Sequence, residues 1–180
     1  MTITPVTTKI VTVSHLGGID ASTYMPAPYD PSKPTLVLCN SFGTGADLYR
    51  HQYQNAELNN LVNLLAIELL GHGQTRAKKT ENFTYWDSAI MNIQVLDKLD
   101  IKGKVFVLGT SQGGWQTVRM ALLAPDRVSE DHSYIWLTAI DGQNHTGRGY
   151  NTARYINGHR KRENSKARLL GCKKKPHSHD

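Results

Sequence analysis

Three short runs of the chain are continuously apolar: Thr35 to Cys39 (TLVLC), Val62 to Leu69 (VNLLAIEL) and Lys104 to Leu108 (KVFVL). Each runs into a loop of small or polar residues, which is the pattern of a strand buried on both faces of a parallel sheet. Periodicity alone does not separate such a run from a buried helical turn. Between the runs lie stretches of helical character. Ala46 to Asn59 is polar with scattered apolar positions and is read as a helix. Tyr85 to Leu99 places Trp86, Ile90, Ile93, Leu96 and Leu99 near helical spacing, and Asp100-Ile101-Lys102-Gly103 closes it. Gly109 to Gly113 turns sharply into a third helix, about Gly114 to Leu123, which Pro125-Asp126 stops. Upstream, residues 8–26 predict two strands around Gly17-Gly18, followed by the proline-rich loop APYDPSKP.

Strands and helices in alternation imply an α/β fold with a mostly parallel sheet, right-handed crossovers and an N-terminal β-hairpin. Tyr134 to Ile140 (YIWLTAI) predicts a further strand. From Asp141 onward periodicity is lost and apolar residues are scarce, so residues 141–180 are read as loop or disorder. The expected organisation is a domain over residues 1–140 and a basic, weakly patterned tail over 141–180. No internal repeat is visible.

Charge sharpens that division. Residues 1–147 carry 11 Lys/Arg and 13 Asp/Glu, whereas residues 148–180 carry 10 and 2. The whole basic excess therefore sits in the last stretch, and the net charge of +6 says nothing about the body of the protein. Length suits one domain of 180 residues, enough to bury roughly 70% of its unfolded surface. No apolar run approaches the ~20 residues of a membrane span, and the N-terminus shows no secretory signal pattern. The two distant thiols, Cys39 and Cys172, then read as reduced residues of a cytoplasmic-type compartment.

The candidate chemistry lies in Gly109-Thr110-Ser111-Gln112-Gly113, a G-x-S-x-G sequence between a buried strand and a helix. A strained turn at that place lifts the serine hydroxyl above the strand end. The glycines let neighbouring backbone pass without a Cβ clash. The N–H of Gln112 points into the same space and can donate to a developing oxyanion. The bland alternative is a serine in an ordinary loop; the strand before and the helix after favour the elbow.

With these residues in place, the chain resembles the α/β-hydrolase family over roughly residues 8–130. VFVLGTSQGGW is similar to the family's strand, nucleophile elbow and following helix. LLAIELLGHGQT is similar to its strand and Gly-His-Gly loop, with Glu68 where Asp is commoner. TLVLCNSFGTG is similar to its strand and oxyanion loop, with Asn40-Ser41 where many members have His-Gly. The resemblance implies Ser111 as nucleophile and the N–H groups of Phe42 and Gln112 as oxyanion hole. It implies attack on an ester or thioester of a small organic molecule, with no cofactor and no metal. The run Asn40 to Tyr53 (NSFGTGADLYRHQY) also resembles fungal hydrolases of secondary-metabolite and toxin clusters, some of which are peroxisomal. The chain ends Ser178-His179-Asp180, which is not a peroxisomal tripeptide.

The family order is Ser, then Asp or Glu, then His. Asp180 lies only 69 positions beyond Ser111, too few for the further strand–helix units the resemblance implies. The fold is therefore expected to be incomplete at the C-terminus, with doubtful triad-dependent activity. Within the chain, Asp141 is the best acid because it follows a strand. His145 is the base taken with it, ahead of His159, His177 and His179; His72 reads as structural. The alternative is a catalytically inactive hydrolase-fold protein with a basic interaction tail. Arg160-Lys161-Arg162 and Lys173-Lys174-Lys175 lack the aromatic interleaving of a nucleic-acid surface, so nucleic acid is not the expected partner. Cys172, His177, His179 and Asp180 match no zinc spacing.

Overall fold

A computed structural model describes residues 6–129 and, for the backbone, residues 134–136 and 150–151. The N-terminal hairpin is β1 (Lys9–Val13) and β2 (Ile19–Tyr24), antiparallel, joined through a 3-10 turn at His15–Gly17. The three apolar runs become β3 (Thr35–Cys39), β4 (Asn63–Ile67) and β6 (Phe106–Thr110). β5 (Arg76–Ala77) pairs with β2 and has no apolar signal in the sequence. β7 (Tyr134–Trp136) lies parallel to β6, and β8 (Tyr150–Asn151) pairs antiparallel with β7. Among the described residues the strand order is β1-β2-β4-β3-β6-β7-β8.

The central strands β4, β3 and β6 are parallel to one another. Their alternation builds two cores. Val37, Cys39, Leu65 and Ile67 face one side with Met91, Val95, Leu96 and Met120. Leu38, Leu64 and Ala66 face the other with Ala46, Tyr49 and Tyr53. Successive side chains of a strand point to opposite faces, so a strand apolar throughout must be covered on both.

Two helices cover the first face, α3 (Tyr85–Lys98) and α4 (Gln112–Leu123). α3 begins at a reciprocal capping box. The Thr84 hydroxyl accepts from Trp86 N–H, and the Asp87 carboxylate accepts from Thr84 N–H at 2.6 Å. It ends where Asp100 takes a left-handed conformation (φ 59°). The other face carries a 3-10 turn at Ala46–Tyr49, then α1 (Arg50–Tyr53) and α2 (Ala56–Leu61).

This corrects the single helix expected over Ala46 to Asn59. The chain breaks at Gln54–Asn55, where the Asn55 side chain accepts from Leu58 N–H and starts a new helix. Other boundaries move by a few residues. β6 begins later than expected because Val105 makes only an isolated bridge to Val128. It runs on to Thr110 because Gly109 pairs beside Cys39. α4 starts at Gln112 rather than Gly114, directly after Ser111. Of the strand expected over Tyr134 to Ile140, residues 137–140 lie outside the described residues, as does most of the expected tail.

Candidate active site

The sheet order reverses at β3. The chain leaves β3 for β4 on one side, then crosses to β6 on the other. In open parallel sheets, the crevice at the C-terminal ends of the strands flanking such a reversal is where ligands bind. Here those ends carry the Asn40–Gly45 loop after β3 and Ser111 after β6. Cys39 and Gly109 are register partners, so the two segments start side by side.

Ser111 sits at φ 51° and ψ −116°, a conformation that side chains other than glycine rarely adopt. It is partly exposed, and its carbonyl accepts from Gly114 N–H at 2.9 Å as the helix begins. The surroundings hold it there by close backbone approach. A Cβ on Gly109 would overlap the Gly113 carbonyl, and one on Gly113 would overlap the Cys39 carbonyl. Both outer glycines of the motif are thus required by sterics. The sharp strand-to-helix turn read from the sequence is present, and Ser111 is not packed in hydrocarbon.

Gln112 opens α4, so its N–H is among the first-turn donors that have no intrahelical acceptor. Phe42 N–H makes no hydrogen bond to protein among the described residues. The Phe42 ring is 77% exposed and meets the His72 ring edge-on, with centroids 5.7 Å apart.

The loop carrying Phe42 is anchored by buried polar groups. Asn40 donates to the Ser41 and Thr44 carbonyls and accepts from Leu69 N–H at 2.9 Å. Tyr49 donates to the Cys39 carbonyl and Tyr53 to the Ala46 carbonyl, each at 2.7 Å. Burial pushes both phenols above their usual range. The Glu68 carboxylate is buried and accepts from Ala46 N–H on one oxygen and Gln74 N–H on the other, both at 2.9 Å. It thereby joins the loop after β3 to the Gly71–Thr75 loop. A Cβ on Gly73 would overlap it, and one on Gly45 would lie 2.7 Å from Oε1. Cys39 is fully buried, and burial pushes its thiol up to about 12, with the Asn92 amide offsetting part of the shift.

Two clefts open on this edge. One, of about 510 Å³, is lined by Phe42, Gly45, Asp47, Glu68, His72 and their neighbours. The second, of about 310 Å³, lies between the N-terminal ends of α3 and α4 and includes Leu70, Trp86, Gln112 and Arg119.

Asp141 and His145 lie outside the described residues, as do His159, His177 and His179. Among the described histidines, His72 contacts the Leu70 carbonyl through Nδ1 at 3.3 Å. His15 pairs with Asp87 at 2.8 Å, tying the hairpin turn to α3. The sequence reading missed this pair because its partners are far apart in the chain. Among the described residues no hydrogen bond or ion pair connects it to Ser111. Among the described residues, no group of three or more His, Cys, Asp or Glu could hold a metal ion, and no helix is long and apolar enough to cross a membrane.

The alpha/beta hydrolase fold family matches residues 34–130, more than half of the chain. Solved structures share the fold. A probable hydrolytic enzyme from Pseudomonas aeruginosa aligns at TM-score 0.60 and 18% identity, covering 68% of this chain and 39% of its own. An epoxide hydrolase from Vigna radiata aligns at TM-score 0.56 and 18% identity, covering 84% and 47%. An enol-lactonase from Burkholderia xenovorans aligns at TM-score 0.57 and 24% identity, covering 66% and 44%. The chain thus spans less than half the length of each of these three.

Proposed function

The chain belongs to the α/β-hydrolase family, and from that premise we propose that it is a serine hydrolase acting on an ester or thioester of a small organic molecule. The observation that carries the reading is the backbone of Ser111, a positive φ at the turn from β6 into α4 with glycines in steric contact on both sides. Such a backbone would hold the hydroxyl at the C-terminal ends of the strands, with α4 starting directly behind it.

In this reading the Ser111 Oγ attacks the substrate carbonyl and passes its proton to a general base. The carbonyl oxygen becomes an oxyanion, which the N–H groups of Phe42 and Gln112 hold. Each such donor contributes about 3–4 kcal/mol to the transition state. Collapse expels the alcohol or thiol, which takes the proton from the base. The same base then deprotonates water as it attacks the acyl-enzyme, and a second collapse releases the acid and returns the proton to Ser111. His145 is proposed as that base and Asp141 as the acid that orients it. Domain limits of 1–140 and 141–180 belong to the same proposal. A place in secondary-metabolite or toxin chemistry rests on the resemblance of Asn40–Tyr53 alone.

A fluorophosphonate probe tests the nucleophile. Labelling of the wild-type chain at Ser111, mapped by mass spectrometry and abolished in Ser111→Ala, supports the reading. Labelling of neither protein, with equal ester turnover by both, favours the non-catalytic alternative.

A further inference from the structure

The smaller cleft has a composition that hydrolysis of a carbonyl does not itself require. Its walls are aromatic: Phe83, Tyr85 and Trp86 line it, each about 40% exposed. In their midst is Arg119. Its guanidinium carbon lies 5.3 Å from the Tyr85 ring centroid, 5.4 Å from that of Trp86 and 5.8 Å from that of Trp115. Arg119 Nη1 donates to the Trp115 carbonyl at 3.0 Å, and none of the ion pairs among the described residues includes Arg119. Arg127, by contrast, pairs with Asp97.

The same helix face is short of hydrogen bonds. Among the described residues, Gln112 Oε1 and Arg119 Nε are buried without a partner, and both residues line the cleft. Gln116 falls between them at i+4 and i−3, on one face of α4. It is 1% exposed and does not line the cleft, and among the described residues both ends of its amide are unpartnered. Buried polar atoms are normally satisfied, and of these only Arg119 Nε, a donor on a residue lining the cleft, could be satisfied by an anion bound there.

From these observations we propose that the cleft between α3 and α4 is the subsite for a planar, conjugated carboxylate carried by the substrate. The ring would stack on Tyr85 and Trp86, and the carboxylate would pair with Arg119. Aromatic faces hold the guanidinium in place but leave its charge uncancelled. Its planar fork matches a carboxylate. A single cation without a second Lys or Arg in the lining suits a monoanion better than a phosphate dianion. Ser111 is not among the residues lining this cleft, but its chain neighbour Gln112 is, so a group bound here would reach past Gln112 for its carbonyl to meet Ser111. The proposal rests on the serine-hydrolase reading and narrows its substrates to esters or thioesters with a free carboxylate on a flat group.

Binding is measured without turnover, by 19F NMR titration of the full chain with 4-(trifluoromethyl)benzoate and its neutral isostere 4-(trifluoromethyl)benzamide. The benzoate is expected to bind about tenfold more tightly. Arg119→Gln should abolish that preference. Trp86→Ala, at an exposed ring that also carries the guanidinium, should weaken both ligands. Equal affinities, no binding of either ligand, or a preference that survives Arg119→Gln would overturn the subsite. Fluorophosphonate labelling in parallel separates the two readings. A labelled chain without benzoate preference loses the subsite alone, whereas benzoate preference without labelling removes the nucleophile alone.

Discussion

Ser111 combines two demands that oppose each other in one residue. The hydroxyl must stand clear of the strand end, and the backbone that places it there is one an L side chain resists, at a cost of about 1–3 kcal/mol. Ser111→Gly removes the side chain and relieves the strain. It should raise stability by about 1 kcal/mol in urea unfolding, less than the strain itself because glycine also gains freedom in the unfolded chain. The same variant should lose all fluorophosphonate labelling. Gly113→Ala does the reverse. Its Cβ would meet the Cys39 carbonyl, a backbone atom that no rotamer change can move, and the expected loss is about 3 kcal/mol. A neutral Gly113→Ala would overturn the steric requirement for glycine there. Cys39, buried below the site with its thiol pushed up to about 12, should remain protonated and unreactive. In the native Cys172→Ser variant, Ellman's reagent at pH 8 should find no fast-reacting thiol, and one after unfolding.

Elements were legible where one physical signal sufficed. β3, β4 and β6 carry their apolar runs because both faces are covered. α3 is a helix as expected, but its buried face runs through Ser88, Ala89, Met91, Asn92, Val95 and Leu96, while Trp86 of the apolar stripe is exposed and Ile90, Ile93 and Leu99 are half-buried. β5 has two residues and no apolar pattern; it exists because β2 offers it an edge. The break between α1 and α2 depends on an Asn55 cap and on tyrosine hydroxyls reaching carbonyls elsewhere, which no local pattern encodes. The start of α3 is held by one carboxylate. Burial raises the Asp87 pKa, but the Thr84 hydroxyl and N–H and the His15 ring outweigh it, and the net shift is downward from 3.8. A group whose pKa falls on folding contributes stability above its unfolded pKa. That contribution is lost as pH drops through the folded value. Asp87→Ala should therefore cost about 1 kcal/mol at pH 7. The gap between variant and wild type should shrink as pH falls below about 4. A gap that stays constant to pH 2.5 would mean that the charged form of Asp87 is not what holds the cap.

At the scale of the molecule, the site is a product of topology. The sequence shows the elbow because its residues are contiguous. It does not show the Arg119 cage, whose parts at 85, 86, 115 and 119 meet only when α3 packs on α4. Nor does it show that Glu68, at the end of β4, anchors the loop after β3. That anchor couples stability to chemistry in a way that can be separated by experiment. Glu68→Gln keeps the size of the side chain but turns one acceptor into a donor facing Ala46 N–H or Gln74 N–H. The expected cost is about 2 kcal/mol in urea unfolding. Val37→Ala, in the core beneath the same strands, should cost about 2 kcal/mol through lost packing alone. If the loop positions Phe42 N–H for an oxyanion, the two variants diverge in fluorophosphonate labelling well below their melting temperatures. Glu68→Gln should label at least tenfold more slowly than wild type, and Val37→Ala at an unchanged rate. Equal rates for both would place Glu68 in the scaffold only and leave the loop after β3 held by Asn40, Tyr49 and Tyr53.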